Sequence, residues 1–229
     1  MDFQDRTVVV TGGTGALGSA VVGLLLEHGA RCRVPYVVET EAATFPHRAK
    51  VTLVPRCELT NEDDVGRLYG DVGELWASIH IAGGFAMGSV ADTDKADMLH
   101  MLNTNFVTCY LCSRAAVQQF GTGGGRIVNI AARPGVEPRQ GAGMAPYAAS
   151  KAAVAAFTAA LAEEVAKDGI LVNAVAPSIM DTPANRAAMP KADYDAWPKV
   201  EEVAATICFL ASPENKVTRG GIVPVFGRS

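Results

Sequence analysis

Short apolar runs rich in β-branched residues alternate along this chain with longer segments of helical periodicity. The two patterns are typical of buried strands and of helices packed against a sheet. Seven strands are predicted, at 6–10, 31–37, 51–55, 76–81, 125–130, 170–175 and 221–226. Helices are predicted near 15–28, 61–72, 95–120, 147–167 and 200–212, whereas Pro46 interrupts segment 40–49 and leaves its structure open. The alternation predicts an α/β fold, with a parallel sheet of about seven strands and helices on both faces.

Unusual sequences follow four of the predicted strands. They read "TGGTGALG" at 11–18, "AGGFAMG" at 82–88, "AARPG" at 131–135 and "APSIMDTP" at 176–183. In parallel sheets of this kind, ligands bind just beyond the carboxyl ends of the strands. We therefore expect the four segments to meet at one rim of the sheet and to form the functional site there.

Three glycines in the turn after the first strand, Gly13, Gly15 and Gly18, form the pattern G-x-G-x-x-G at the start of a helix. Glycine permits the tight turn and lets a dinucleotide pyrophosphate approach the backbone, and the helix N-terminus offers free N–H groups. The pattern predicts nucleotide binding and a Rossmann-type, doubly wound single domain over residues 1–229. The alternative is a glycine-rich turn that serves only close packing of helix on strand.

The end of the second strand bears on which nicotinamide dinucleotide binds. An acidic residue at this point often binds the adenosine ribose and would repel a 2′-phosphate. Here Tyr36 stands at the tip and Glu39 lies slightly beyond, so the sequence favours NADP(H) over NAD(H). No arginine is an obvious clamp for the phosphate, unless Arg31 or Arg33 turns toward it. Glu58, after the third strand, is either a neighbour of the adenine or a helix-capping acid.

Composition and charge narrow the class of partner. The chain is 49% apolar and 19% charged, with a net charge of −4 and no dense basic run. These values argue against nucleic-acid and membrane-surface partners and favour a small-molecule substrate. No apolar run approaches the ~20 residues that span a bilayer, and the N-terminus has no secretory pattern, so we expect a cytoplasmic protein.

The cysteines and histidines predict neither a disulfide framework nor a metal site. Five scattered cysteines are an odd number, and the four histidines have no metal-ligand spacing. Cys109 and Cys112 form a C-x-x-C within a continuous helical pattern and have no second ligand pair, so we interpret them as packing thiols.

Tyr147 and Lys151 are four residues apart on a predicted helix, so both side chains project from one face. An ammonium near a phenol stabilises phenolate and lowers the tyrosine pKa. The pair is therefore a candidate for general acid–base chemistry. Taken singly, Tyr147 could instead pack at an interface, and Lys151 could be a solvated charge.

Together these residues resemble the short-chain dehydrogenase/reductase family. "TGGTGALG" is similar to its T-G-x-x-x-G-x-G turn, with Ala16 at the middle glycine, and "HIAG" is similar to N-N-A-G, with His80 and Ile81 for the asparagines. "YAASK" matches Y-x-x-x-K, "VNAVAPSIMDT" resembles V-N-x-V-x-P-G-x-x-x-T, and Asn105 matches the family asparagine. The resemblance spans the whole chain.

The resemblance implies hydride transfer at a nicotinamide, with Tyr147 donating or removing the substrate proton. It implies that Lys151 also holds the nicotinamide ribose and that Asn105 supports a water relay to Lys151, although Asn105 could instead be a buried structural amide. It further implies a homotetramer or dimer. The expected cofactor contacts are Thr11, Gly12, Gly13, Gly15, Leu17, Gly18, Tyr36, Glu58, Ala82, Gly83, Lys151, Pro177 and Thr182, where Thr182 reaches the carboxamide or phosphates.

Ala132 stands where most family members have a serine that polarises the substrate carbonyl. Loss of one such donor can cost about 3–4 kcal/mol of transition-state stabilisation when the substrate needs it. A conjugated C=N or quinonoid substrate needs it less. Local sequences also resemble dihydropteridine reductases, which lack that serine and reduce a quinonoid pterin, and this is the alternative enzymatic reading. A catalytically silent nucleotide-binding member is the non-enzymatic alternative.

A segment at about 183–199, "PANRAAMPKADYDAWPK", follows the sixth strand and is expected to cover the site. Met189 and Trp197 could form its apolar wall, together with Tyr194, or could anchor the loop to the body. Arg133 and Arg186 could meet an anionic substrate or lie in solvent. The expected substrate contacts are therefore Ala132, Arg133, Met189 and Trp197.

Overall fold

A seven-stranded parallel sheet forms the centre of the computed structural model, which describes residues 1–229. The strands are β1 (Thr7–Thr11), β2 (Arg31–Pro35), β3 (Thr52–Val54), β4 (Leu75–His80), β5 (Gly125–Ile130), β6 (Ile170–Pro177) and β7 (Ile222–Val225). Their order across the sheet is β3-β2-β1-β4-β5-β6-β7. The direction of the strand order reverses between β1 and β4, and ligands of such sheets bind in the crevice at this reversal.

Helices cover both faces of the sheet. They are α1 (Ala16–Glu27), α2 (Glu39–Thr44), α3 (Glu62–Gly70), α4 (Lys95–Leu102), α5 (Thr108–Gln119), α6 (Arg133–Val136), α7 (Ala145–Glu164), α8 (Pro183–Ala188) and α9 (Val200–Ala211). None of the helices is both long enough and apolar enough to cross a membrane.

Alternating side chains of β1 divide the core into two layers. Val8 and Val10 pack with α1 and α9 on one face, whereas Val9 packs with α3, α5 and α7 on the other. Because both faces are covered, the central strands are apolar at nearly every position, and this explains their continuous hydrophobic runs. The predicted Rossmann-type α/β fold is confirmed, as are all seven strands.

Two regions differ in detail from the sequence prediction. The open segment 40–49 forms α2 and then a 3-10 turn at Arg48–Lys50, with Phe45 buried between them. The long helix predicted at 95–120 contains a π-helical turn at Asn103–Val107 between α4 and α5. Such turns often occur at functional sites, and this one carries Asn105.

Candidate active site

The glycine turn between β1 and α1 combines close packing with open space. A Cβ on Gly12 would lie 2.7 Å from the Ala82 nitrogen, and one on Gly18 would lie 2.0 Å from the Gly12 carbonyl oxygen. A Cβ on Gly13 would meet Val34 at 2.7 Å. Only Gly15 has space for a side chain, since the atom nearest to an added Cβ, the Gly12 carbonyl oxygen, would be 3.4 Å away. The packing interpretation therefore holds for three of these glycines, and Gly15 borders the crevice.

The start of α1 has the features of an anion site. Gly15 caps the helix without a side chain, so no side-chain oxygen accepts from the first-turn N–H groups. Unpaired N–H groups and the helix dipole favour a phosphate at this position. Leu17 points into the core, so only its backbone borders the turn. The residues present thus fit the pyrophosphate of a dinucleotide.

Thr11 joins the turn to the end of β4. Its hydroxyl accepts from the Ala82 N–H at 3.2 Å, and its carbonyl accepts from the Ile81 N–H at 3.2 Å. The next residue, Gly83, lies against two predicted catalytic side chains. A Cβ on Gly83 would be 2.6 Å from Asn105 Oδ1 and 3.4 Å from Lys151 Nζ. The rim segments after β1 and β4 therefore meet, as expected.

At the tip of β2, the Tyr36 hydroxyl donates to Glu39 at 3.3 Å. Partial desolvation and the Glu39 carboxylate raise the pKa of Tyr36, while the charges of Arg48 and Arg56 oppose the shift. Two arginines that the strand prediction did not consider thus lie near this tip. Arg31 pairs with Asp5, and Arg33 donates to the carbonyl of Arg67, so both are engaged elsewhere.

Glu58 is engaged within its own turn. Its carboxylate accepts from the backbone N–H and the hydroxyl of Thr60, at 3.2 and 3.0 Å. The N-terminal cap of α3 is instead Asn61, whose side chain accepts from the Asp63 and Asp64 N–H groups, so the capping alternative for Glu58 is wrong. A second carboxylate, Glu41 on α2, accepts from the Thr14 hydroxyl of the glycine turn at 3.1 Å.

Lys151 is buried on α7, and its ammonium donates to the Ile130 carbonyl at the end of β5 over 2.8 Å. Burial lowers the pKa of Lys151 to about 8. A lysine that keeps one hydrogen bond in a buried position has remaining donors for a ligand hydroxyl. The solvated-charge alternative for Lys151 is therefore wrong, because the side chain is buried.

Asn105 is 1% exposed and fixes the loop after β4. Its Oδ1 accepts from the Gly84 N–H at 2.9 Å, and its Nδ2 donates to the Gly84 carbonyl at 3.0 Å. The same Nδ2 donates to Ser150 Oγ at 3.0 Å, and that hydroxyl donates to the Tyr147 carbonyl at 2.7 Å. One amide thus links the β4 loop to the helix that carries both Tyr147 and Lys151.

Tyr147 differs from the sequence expectation in its acidity. We expected Lys151 to lower the tyrosine pKa, but burial raises the pKa of Tyr147 to about 12. Desolvation disfavours the phenolate, and the Lys151 ammonium is turned to the Ile130 carbonyl. The Tyr147 ring lies 5.0 Å from the Phe85 ring, at an interplanar angle of 84°.

Ala132 is 4% exposed and lies directly after β5, at the N-terminal cap of α6. Next to it, the Arg133 guanidinium binds Glu137 at 2.7 Å and the Ser229 carbonyl at 2.6 Å. The guanidinium also lies 4.8 Å from the centre of the Phe226 ring. Arg133 therefore has protein partners on both sides.

Asp181 holds the two ends of segment 183–199. Its carboxylate binds Arg186 through two contacts of 2.5 and 2.8 Å and also pairs with Lys199. These partners hold the pKa of Asp181 well below its usual range. Thr182 begins α8 by accepting from the Asn185 N–H at 3.2 Å, and Pro177 ends β6.

Within the same segment, Trp197 is buried and packs 5.1 Å from the Tyr194 ring, whereas Met189 is half-buried. The burial of Trp197 favours the interpretation that it anchors the segment to the body of the protein over the interpretation that it forms an apolar wall of the substrate site. The backbone of Arg228 donates to the Ala196 carbonyl, so the C-terminal residues also contact the segment.

Sequence reasoning missed three residues of this region: Phe85, Ser150 and Asp181. Phe85 had a usable signal, since it is the one aromatic residue within the glycine-rich stretch "AGGFAMG". Ser150 binds Asn105, which is 45 positions away in the sequence, and Asp181 binds Lys199, which is 18 positions away. Sequence spacing gave no signal for either contact.

Known proteins match the chain over nearly its whole length. The model of the short chain dehydrogenase family matches residues 6–193. Carbonyl reductase family member 4 of Danio rerio is 31% identical over 237 residues, which is 98% of each chain. Cis-4-hydroxycyclohexanecarboxylate dehydrogenase of Sinomonas cyclohexanicum is 32% identical over 246 residues, covering 98% of this chain and 96% of that protein.

Solved structures agree on the fold. ElxO with NADP bound superposes with a TM-score of 0.89 at 24% identity, covering 98% of each chain. The family match, the related reductases and dehydrogenases and the shared fold lead to one conclusion. The chain belongs to the short-chain dehydrogenase/reductase family and is an NAD(P)-dependent oxidoreductase.

Proposed function

We propose that this protein transfers hydride between NAD(P)(H) and a small carbonyl or alcohol, or an activated C=N compound, with Tyr147 as the proton donor or acceptor. The observation that carries the proposal is the cluster at Gly83. Asn105 and Lys151 both border this glycine, and Tyr147 lies on the same helix face as Lys151. When bound, the nicotinamide supplies or accepts the hydride.

In the reductive direction, hydride adds to the substrate carbon and the Tyr147 proton goes to the oxygen or nitrogen. A phenol with a pKa of about 12 is protonated at neutral pH and is ready to donate. Lys151, which keeps donors beyond its bond to Ile130, would hold the ribose hydroxyls and stabilise the phenolate that remains. Asn105 would keep the β4 loop and α7 in register, and in the family it would also support a water relay.

The cofactor would lie along the rim, with its pyrophosphate at Gly15 and the start of α1. We propose NADP(H) over NAD(H), because Tyr36 replaces an acid at the β2 tip and Arg48 and Arg56 act on that tip. The carboxylates of Glu39 and Glu41 lie near the same tip and would repel a 2′-phosphate, so they act against this preference. The ratio of dissociation constants for NADPH and NADH tests it, and Arg56→Ala should weaken only NADPH.

The alternative substrate, a quinonoid dihydropterin, is favoured by one observation. Ala132 leaves no hydroxyl at the position where a carbonyl would be polarised. A conjugated substrate that is already electrophilic needs that hydroxyl less. The substrate panel should therefore include quinonoid dihydropterin with both cofactors.

We also propose that the chain forms a homotetramer or dimer and is cytoplasmic. An aromatic cluster of Phe106, Tyr110 and Phe157 joins α5 and α7, with Tyr110 exposed, which supports pairing of these helices between subunits. All five cysteines are free and buried, as is common in reducing compartments. Equilibrium sedimentation tests the oligomeric state.

Tyr147→Phe tests the proposed chemistry. Loss of the general acid should lower kcat by about 10²–10⁴-fold, while NADPH affinity from fluorescence titration stays within about twofold, since a hydroxyl is all that is removed. Tyr110→Phe is the matched control, because it removes a hydroxyl from an exposed tyrosine on α5. An active Tyr147→Phe enzyme would refute the proton-donor role. If the unmodified protein binds cofactor but turns over no carbonyl, quinone or pterin, it is better described as a catalytically silent nucleotide-binding member of the family.

A further inference from the structure

The rim around Tyr147 carries exposed apolar side chains on a loop that is held in place. Phe85 is 60% exposed although its ring is packed at nearly a right angle to the Tyr147 ring. Met87, two residues on, is also exposed. Perpendicular aromatic pairs at this distance are favourable contacts, so the Phe85 ring has a defined position beside the phenol.

Two backbone anchors fix this loop. Before Phe85, Gly84 exchanges two hydrogen bonds with the Asn105 amide. After Met87, the Gly88 N–H donates to the Gly143 carbonyl at 2.8 Å, and Gly143 belongs to the turn that leads into α7. The two anchors hold the exposed Phe85 beside Tyr147, so a ligand that contacts its ring would pay little entropy for ordering the loop.

The two chain segments beside Tyr147 carry no charged side chain, and the buried Lys151 is assigned to the cofactor ribose. Neither 82–90 nor 140–147 contains a charged residue. Arg133 and Arg186, the two candidates to bind an anionic substrate, both form ion pairs within the protein. Arg133 pairs with Glu137, and Arg186 pairs with Asp181. Arg139 directly precedes the second segment and lines a groove with Pro134 and Ala152, to which Gly141 and Ala142 of that segment also contribute. A carboxylate or phosphate held between these two segments would therefore lose hydration without a charged partner within them.

From these observations we propose that the substrate is an uncharged aromatic or similarly planar apolar carbonyl compound and that Phe85 is its specificity-determining residue. This rests on the proposed function, since the ring would be held between Phe85 and the reacting phenol of Tyr147.

Three α-dicarbonyl probes isolate the two parts of the inference. 1-Phenylpropane-1,2-dione and 2,3-butanedione differ by phenyl in place of methyl, and benzoylformate keeps the phenyl ketone but adds a carboxylate. With the unmodified enzyme and NADPH, kcat/KM for the phenyl dione should exceed that for butanedione by about 30-fold or more, as expected for burial of one ring. It should exceed that for benzoylformate by at least about 100-fold.

Phe85→Ala should then lower kcat/KM for the phenyl dione by about tenfold, mainly through KM, and leave butanedione within about twofold. Phe85→Trp should retain the aromatic preference. Val90→Ala is the matched control, since Val90 is exposed on the same loop and has no aromatic contact with Tyr147.

Several results would overturn the inference and leave the proposed function standing. One is equal loss with both diones in Phe85→Ala, which would make Phe85 a support for Tyr147. Others are a preference for benzoylformate, or turnover of butanedione without turnover of the phenyl dione. By contrast, failure to bind either cofactor, or full activity in Tyr147→Phe, would count against the proposed function itself.

Discussion

The two sides of the rim that we assign to the cofactor and to the substrate are built in different ways. On the cofactor side, glycines bring backbone against backbone, and a buried amide and a buried lysine meet at Gly83. On the proposed substrate side, Phe85 and Met87 are exposed apolar side chains, and the charges of Arg133 and Arg186 are paired with acids. The first side tolerates little change, because an added Cβ has no room. The second can change its side chains without disturbing the sheet, and this is where substrate specificity can diverge between relatives.

The largest expected effect is a loss of folding stability from a substitution in the glycine turn. Gly18→Val would place a Cβ 2.0 Å from the Gly12 carbonyl oxygen, a backbone atom that cannot move aside. We expect a loss of about 4 kcal/mol or more in the free energy of unfolding, measured by urea denaturation. Gly15→Ala is the control, because its Cβ would meet nothing closer than 3.4 Å. It should cost less than about 1 kcal/mol of stability and act instead on NADPH affinity. Equal destabilisation by both substitutions would show that Gly15 is packed as tightly as Gly18.

A buried histidine should make the stability of the proposed cofactor side depend on pH. His80 on β4 contacts Ser78 and Asn129, each at 2.8 Å, with the Tyr69 hydroxyl at 3.4 Å. Burial lowers its pKa from 6.5 to about 4. The unfolded state therefore binds a proton at a higher pH than the folded state does. Stability should fall as pH drops from about 6.5 to 4 and then level off, for a total of about 3 kcal/mol from this group.

His80→Asn places the residue of the family pattern N-N-A-G at this position and should remove that part of the acid dependence. Urea midpoints at pH 7 and pH 4.5 measure the difference between the two proteins. His100→Asn, at an exposed position on α4, is the control. If the unmodified protein and His80→Asn lose stability equally between these pH values, other groups account for the acid sensitivity.

The same contrast explains what the sequence could predict. The strands and the glycine turn were predictable, because covered parallel strands need continuous apolar runs and the turn of Gly12 and Gly18 admits no side chain. Tyr147 and Lys151 were predictable because helical spacing places them on one face. The acidity of Tyr147 was predicted wrongly, since burial and the orientation of the Lys151 ammonium depend on the tertiary structure. Phe85 gained its role only from a contact with a residue 62 positions later, as the sheet brings their loops together.

A smaller effect is expected at segment 183–199, which we propose covers the site. Asp181→Asn removes the charge that pairs with Arg186 and Lys199, so segment 183–199 should be held less firmly in its position. We expect KM to rise about fivefold with kcat nearly unchanged, because ion pairs near a surface contribute modestly. Glu201→Gln, which changes an exposed acid at the start of α9, is the control. A fall in kcat with constant KM would instead place Asp181 in the chemistry of the reaction.

The smallest effect, and the one that most sharpens the comparison, is expected from Ala132→Ser. The substitution restores a hydroxyl on a buried residue directly after β5, but the neighbouring Arg133 is held by Glu137 and Ser229, and Ala131 is also apolar. Neither adjacent side chain, Ala131 or the paired Arg133, would orient the new hydroxyl. Reduction of an unactivated ketone such as cyclohexanone should therefore rise only about threefold, as for one ordinary neutral hydrogen bond. The rate with 1-phenylpropane-1,2-dione should not change, because that carbonyl is already electrophilic. Steady-state rates with both substrates, with Ala131→Ser as the control, measure the difference. A rise of about 100-fold for cyclohexanone would match a preorganised donor and would show that the substrate side is arranged for ordinary ketones, with only the hydroxyl missing.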